Sequence, residues 1–128
     1  MNNTGETKKK ILVLLGRPRK KGNSTTLAME IAEGAESEGA EVETLYINGM
    51  NIRACQACWT CQEEKSAGCP IDDDMQIIYP KLAEADCWVI ASPVHWFNMS
   101  TQTKLWLDRC FALQKYGKNP FKKRSPLP

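Results

Sequence analysis

The chain has 128 residues, 42% of them hydrophobic and 25% charged, which is the length and composition of one soluble globular domain. A net charge of +2 with no long basic face argues against nucleic-acid binding, and no apolar run approaches the roughly 18–20 residues that span a bilayer. Because residues 1–10 are polar and contain no apolar leader, we expect a cytoplasmic protein whose six cysteines are thiols or metal ligands rather than disulfides.

Strands and helices are predicted to alternate along the chain. Short apolar runs closed by turn residues mark the strands, and apolar residues at four-residue spacing mark the helices. The predicted strands cover residues 11–15, 42–47 and 87–91, and the predicted helices cover residues 25–37, 75–85 and 100–111. This alternation is typical of an α/β domain with a parallel sheet. We expect the amphipathic second strand near a sheet edge and the other two strands buried on both faces.

Two details of core packing follow from the same patterns. Leu27, Ile31 and Ala35 are expected to form the buried face of the first helix. Cys87 in the third strand and Cys110 near the end of the third helix are expected to be small apolar core residues.

The loop between the first strand and the first helix has the features of an anion site. Residues 16–25 read Gly-Arg-Pro-Arg-Lys-Lys-Gly-Asn-Ser-Thr and follow the carboxyl end of a parallel strand, where open α/β sheets bind ligands. The helix N-terminus offers backbone N–H groups, Asn23, Ser24 and Thr25 add side-chain donors, and Arg19 adds a charged fork. Neither a Walker loop nor the three-glycine dinucleotide motif is present. The alternative is a structural role as turn and helix cap.

Residues 51–74, here called the cysteine loop, have little periodicity and hold four cysteines in the spacing C-x2-C-x2-C-x7-C. These are Cys55, Cys58, Cys61 and Cys69. Four thiolates so close together can bind Zn²⁺ or a [4Fe–4S] cluster, and the compact spacing favours a cluster over a zinc finger. Free or redox-active thiols are the third alternative.

Three ordered motifs within residues 11–110 resemble the NADPH-dependent FMN reductases and the iron–sulfur flavoproteins. The first is the loop over 16–25, similar to the Gly-Ser-Pro-Arg-x-x-Gly-Asn-Thr loop that wraps the FMN phosphate in those relatives. The second is the cysteine loop with Asp-Asp-Asp-Met at 72–75. The third is the segment 91–109, which contains Pro-Val-His, Trp-Phe, Met-Ser, Lys and Asp-Arg. Arg17 stands where relatives usually carry Ser, and it could supply further charge for the phosphate or crowd the site.

The resemblance implies a flavodoxin-like, doubly wound parallel sheet with FMN between the loops that follow the first and third strands. The residues implied to bind the flavin ring follow the third strand and are Pro93, Val94, His95, Trp96 and Phe97. On composition alone, Trp96 and Phe97 would be interface or core aromatics. Hydride transfer between nicotinamide and flavin needs no protein base, so His95, the only histidine, is assigned to binding alone.

The resemblance also implies an oxidoreductase in which FMN takes electrons from NAD(P)H, from a cluster or from a protein donor and passes them on. The alternative is a non-catalytic metal- or flavin-binding fragment of such a protein.

We expect a single domain over 1–128, with its core in 11–110 and an irregular tail over 117–128. Sheets of the family have five strands and this sequence accounts for about three, so one edge of a truncated sheet would be open. An open edge and a group of nearby aromatic residues predict a homo-oligomer, or a chain that is poorly soluble alone. The aromatic residues are Trp88, Trp96, Trp106 and Phe111.

Overall fold

The computed structural model describes residues 8–114, which form the predicted α/β fold. The three main strands are β1 (Lys10–Leu15), β2 (Glu41–Tyr46) and β3 (Cys87–Ala91), and the helices are α1 (Asn23–Ser37), α2 (Met75–Glu84) and α3 (Thr101–Arg109). A short hairpin, β4 (Val94–His95) and β5 (Asn98–Met99), lies between β3 and α3, and two 3-10 turns cover Thr60–Gln62 and Cys110–Leu113. None of the helices within 8–114 is long and apolar enough to cross a bilayer. The predicted tail lies outside the described residues.

The sheet has the order β2-β1-β3, and both pairings are parallel. In this register Val13 at the middle of β1 lies opposite Thr44 on one side and Val89 on the other. The predicted flavodoxin-like parallel sheet is thus confirmed, with three strands within residues 8–114. The position of β2 at an edge of the described sheet agrees with its amphipathic sequence.

The two faces of β1 supply two hydrophobic layers. Leu12 and Leu14 belong to a core with residues of α2 and α3, whereas Val13 and Leu15 pack with α1. Because successive side chains of a strand point to opposite faces, the continuous apolar run of β1 is explained by helices on both sides. The carboxyl end of β1 is therefore held rigidly between layers, and the loop that follows it starts from a fixed point.

The face predicted for α1 is wrong. Leu27 and Ile31 are 66% and 54% exposed, and the buried residues of this helix are Thr25, Ala28 and Ala32. The same four-residue spacing holds on both faces, so periodicity alone cannot choose between them. The small side chains face the sheet because they let the helix backbone approach β1 closely.

The third strand is less buried than predicted. Cys87 is exposed and Ile90 is 45% exposed, because within residues 8–114 β3 pairs on one side only. Cys110 is buried, as predicted. Trp106 does not belong to a surface group: it is fully buried and packs edge-to-face on Trp88, with ring centroids 6.2 Å apart.

Candidate cofactor site and cysteine pocket

The loop after β1 leads directly into the N-terminus of α1. The first intrahelical hydrogen bond runs from the Thr26 N–H to the Gly22 carbonyl at 2.9 Å. Within residues 8–114 no side chain caps the helix, and its first turn contains no acidic residue. The preceding N–H groups and the positive end of the helix dipole are thus available to an anion.

Among residues 8–114, two buried polar atoms at this junction have no hydrogen-bond partner: Arg17 Nε in the loop and Thr25 Oγ1 in the first turn of α1. The Arg17 guanidinium lies across Gly22, where Nη1 would be 1.7 Å from a Cβ. A cation and a helix N-terminus repel each other, and a buried unpaired hydroxyl costs about 1–3 kcal/mol. Both features fit a site that gains stability when an anion such as a phosphate is bound.

Ser100 links the loop after β1 to the loop after β3. Its hydroxyl donates to the Gly16 carbonyl and accepts the Thr103 N–H at 3.2 Å, which makes Ser100 the N-cap of α3. Its own N–H donates to Ser92 Oγ at 2.9 Å, and the Gly16 N–H donates to the Ala91 carbonyl at 2.8 Å. The two loops therefore form one rigid rim at the carboxyl end of the sheet.

Gly16 is required by this close approach. A Cβ at Gly16 would lie 1.8 Å from Thr103 Oγ1 and 3.2 Å from the Thr103 Cα. Any side chain at this position would push α3 away from the first loop.

The hairpin after β3 ends in two exposed aromatic residues. Trp96 and Phe97 are 90% and 91% exposed and have φ angles of 43° and 69°. Positive φ at both central residues defines a type I′ turn, which disfavours bulky side chains. Backbone strain of this kind, of order 1–3 kcal/mol per residue, is concentrated at functional sites. An aromatic surface is thus displayed beside the rim, where it could contact a flat ring or another protein.

The ten residues predicted to bind a cofactor lie in these two loops and in the first turn of α1, and their exposure differs. Thr25 is buried, the side chains of Arg17, Ser24 and Pro93 are half-buried, and the other six are exposed. The exposed residues are Arg19, Asn23, Val94, His95, Trp96 and Phe97.

The four cysteines of the cysteine loop line one pocket, together with Arg109 and Phe111. None of them forms a disulfide; Cys55 and Cys58 are exposed, while Cys61 and Cys69 are half-buried. Hydrogen bonds from Thr60 lower the pKa of the Cys58 thiol. Among the described residues, no three Cys, His, Asp or Glu side chains already converge as metal ligands. The donor chemistry of the pocket fits a thiolate-bound metal or cluster, but the ligand cage is not preformed in residues 8–114.

The cysteine loop also contains a strained backbone. Ala57 and Trp59 have φ angles of 52° and 63°, in the left-handed region that non-glycine residues rarely occupy. The Trp59 ring contacts Phe111 edge-to-face at a centroid distance of 5.2 Å. This contact holds the segment between Cys58 and Cys61 against the 3-10 turn that follows α3.

A fully buried ion pair lies behind the pocket. Arg109 Nη1 and Nη2 donate to Asp73 Oδ2 at 2.6 Å and to Asp73 Oδ1 at 3.1 Å, and both side chains are 0% exposed. The Asp73 carboxylate also accepts the N–H groups of Arg53 and Met75, at 2.8 and 3.0 Å. Burial opposes ionisation of Asp73, but these hydrogen bonds outweigh it and lower its pKa. Burial likewise opposes the charge on Arg109, but the bond to Asp73 raises its pKa above the ordinary value.

Sequence reasoning did not single out Ser100, Thr103, Asp73 or Arg109 individually. Ser100 carried a signal as a serine at the first position of a predicted helix. Asp73 and Arg109 lay inside two matched family segments, Asp-Asp-Met and Asp-Arg, but no local pattern indicated that residues 36 positions apart would pair.

Comparison with known proteins gives consistent matches. Residues 9–127 match the family model described as NADPH-dependent FMN reductase. An iron–sulfur flavoprotein of Methanocaldococcus jannaschii is 36% identical over 105 residues, which is 82% of this chain and 53% of that protein. For an iron–sulfur flavoprotein of Methanosarcina thermophila the identity is 35% over 106 residues, 83% of this chain and 54% of that protein.

A Bacillus subtilis protein, named as a candidate NAD(P)H-dependent FMN-containing oxidoreductase, is 28% identical over 101 residues, 78% of this chain and 51% of that protein. The chain spans about half the length of the curated relatives that it matches. No solved structure matches it.

Proposed function

Because this chain belongs to the NADPH-dependent FMN reductase family, we propose that it binds FMN on the rim formed by the loops after β1 and β3 and acts as a flavin oxidoreductase. The observation that carries the proposal is the pair of buried, unpartnered polar atoms, Thr25 Oγ1 and Arg17 Nε, at an uncapped helix N-terminus. A phosphate monoester is an anion with the oxygen acceptors that this site lacks.

In this proposal the phosphate lies against the first turn of α1. The N–H groups of Asn23, Ser24 and Thr25 precede the first intrahelical bond and are the donors that a phosphate would use. Arg17 contributes a half-buried positive charge, and the exposed Arg19 can close over the phosphate from solvent.

The flavin ring would lie along the hairpin after β3. Pro93, Val94 and His95 supply the wall nearest the sheet, and the exposed rings of Trp96 and Phe97 supply an apolar cover. FMN would provide the redox chemistry, accepting electrons from NAD(P)H or from a protein donor and passing them to an acceptor. This chain's own residues would bind the cofactor, orient its ring and shield it from water.

The cysteine loop is proposed to hold a [4Fe–4S] cluster that exchanges electrons with the flavin. This proposal is supported by four cysteines on one pocket and by relatives that are named iron–sulfur flavoproteins. A bound zinc ion and redox-active free thiols are the competing uses of the same residues. Anaerobic protein reconstituted with iron and sulfide should contain about four iron atoms per chain. Cys58→Ala should lose them, and zinc alone or no metal would contradict the cluster.

The phosphate site is tested by comparing FMN with riboflavin, which lacks the phosphate. Thr25→Val removes the unpartnered hydroxyl at constant shape, so unfolding stability should not fall while FMN binding weakens by about 1–3 kcal/mol. Riboflavin affinity should stay constant. Thr44→Val in β2, far from the loop, is the matched control.

A second matched pair lies on α1 itself. Ser24→Ala, at the N-terminus, should weaken FMN binding in the same way, and Ser37→Ala, at the C-terminal end, should not. Equal FMN affinity in the wild type, Thr25→Val and Ser24→Ala would place the phosphate elsewhere. Unequal riboflavin affinity would indicate that the variants disturb the ring site instead.

A further inference from the structure

The guanidinium of Arg109 has more hydrogen bonds than the ion pair requires. Besides the two bonds to Asp73, Nη1 donates to the Arg53 carbonyl at 2.8 Å and Nη2 donates to Cys69 Sγ at 3.4 Å. Arg109 thus contacts the beginning of the cysteine loop, its end and one of its sulfurs. Because the side chain is fully buried and held by both oxygens of one carboxylate, the direction of Nη2 is fixed.

Closure of the cysteine loop does not depend on the contact with Cys69. The ends of the loop are already joined by the Asp74 N–H to the Asn51 carbonyl at 2.9 Å and by the Asn51 N–H to Asp74 Oδ2 at 2.6 Å. The Arg53 N–H adds a bond to Asp73. The N–H donated to Cys69 therefore fixes a sulfur rather than the backbone.

The other end of Arg109 is also restrained. Its carbonyl accepts the Tyr79 hydroxyl of α2 at 2.9 Å. Backbone and guanidinium are therefore both held, and Arg109 has no freedom to follow Cys69 if the loop moves. A donor fixed in this way selects the position of the sulfur.

We propose that Arg109 is a positioning residue for the four-cysteine centre, holding Cys69 Sγ as a ligand and donating a hydrogen bond to it. The inference rests on the proposed use of the four cysteines as ligands, but not on the identity of the metal. Outer-shell donors to metal ligands orient those ligands and tune the electron density on the bound metal. Sulfur that accepts an N–H bond donates less charge to its metal, which makes a redox centre easier to reduce.

The test uses Co²⁺ alone as the probe, titrated anaerobically into the reduced, metal-free full chain. Cobalt takes tetrahedral thiolate sites and reports them in its visible and near-ultraviolet absorption. The variant is Arg109→Lys, which keeps the charge near Asp73 but has a single ammonium group that cannot serve Asp73, the Arg53 carbonyl and Cys69 together. The matched control is Arg53→Ala, which removes an exposed arginine side chain from the same loop and leaves its backbone bonds intact.

The wild type should bind one Co²⁺ per chain, and Arg109→Lys should bind it about 10–100-fold more weakly. The sulfur-to-cobalt charge-transfer band should also move to longer wavelength in Arg109→Lys, because the Cys69 lone pair loses its N–H donor. Arg53→Ala should match the wild type in both respects. If Arg109→Lys binds Co²⁺ more weakly but its charge-transfer band does not move, Arg109 serves the fold alone and the proposal is overturned. Wild-type Co²⁺ affinity in Arg109→Lys, or no Co²⁺ binding by the wild type, would also overturn it.

Two further outcomes are separable. If the wild type and variants bind Co²⁺ as expected but iron and sulfide yield no cluster, the cluster proposal fails and the role of Arg109 stands. If Arg109→Lys does not fold, the wild type loaded with an NMR-active cadmium isotope decides the matter. Scalar coupling between the metal and an Arg109 Nη2 proton through the Cys69 sulfur supports the proposal, and its absence overturns it.

Discussion

Asp73→Asn tests the buried ion pair that supports the cysteine loop. The carboxylate accepts four hydrogen bonds, two at each oxygen, from Arg109, Arg53 and Met75. Asparagine has the same shape but only one acceptor oxygen, so two buried donors lose their partner and the charge of Arg109 is left unpaired. Breaking a buried pair from one side costs about 3–5 kcal/mol, a large part of the roughly 5–15 kcal/mol that stabilises a domain.

The measurement is urea unfolding followed by tryptophan fluorescence, to which the buried Trp106 contributes. With a slope of about 1–3 kcal/mol per molar urea, the midpoint for Asp73→Asn should fall by on the order of 2 M. Asp72→Asn changes an exposed neighbour that has no hydrogen bond to another residue of 8–114; it is the matched control and should unfold like the wild type.

The pH dependence gives an independent check. The folded state lowers the pKa of Asp73, so its contribution to stability is present above the unfolded pKa of about 3.9 and is lost as the pH falls below it. The stability difference between the wild type and Asp73→Asn should therefore narrow on acidification. Equal urea midpoints at neutral pH, or a difference that grows in acid, would refute the reasoning.

Three other predictions concern the rim and the surface. Gly16→Ala should lower the free energy of unfolding by about 1–3 kcal/mol, because the added methyl group overlaps Thr103, and it should also lower FMN affinity. Unchanged values in both assays would contradict the close approach of the two loops. Gly34→Ala, in an open helical position, should raise the stability by about 0.5–1 kcal/mol in the same unfolding assay. If the chain forms a homo-oligomer through the exposed hairpin, the double variant Trp96→Asn/Phe97→Gly should give a smaller particle in size exclusion with light scattering. The two substitutions keep the type I′ turn and remove the aromatic surface. A monomeric wild type would contradict this prediction.

The order of elements could be predicted because each apolar run and each turn signal is local. The buried face of α1 could not, because Leu27 and Ile31 share the spacing of Ala28 and Ala32. Hydrophobicity favoured the larger pair, whereas close packing on a sheet selects the smaller one. Exposure of Cys87 was missed for a related reason: an apolar strand indicates burial but not how many neighbouring strands provide it.

The candidate site was predictable as two loops but not as a connected structure. A polar, glycine-containing turn after a buried strand pointed to residues 16–25 directly. The bond from Ser100 to Gly16, and the bond from Arg109 to Cys69, join residues 84 and 40 positions apart, and such contacts depend on topology rather than on local pattern.

The most direct test of the central claim is equilibrium binding of FMN to the purified full chain, followed by the visible spectrum of the complex under anaerobic conditions. We predict one FMN per chain, with flavin absorption that bleaches on addition of NADPH or NADH, and weaker binding in Thr25→Val. A chain that folds cooperatively yet binds no FMN at micromolar concentration would contradict the account.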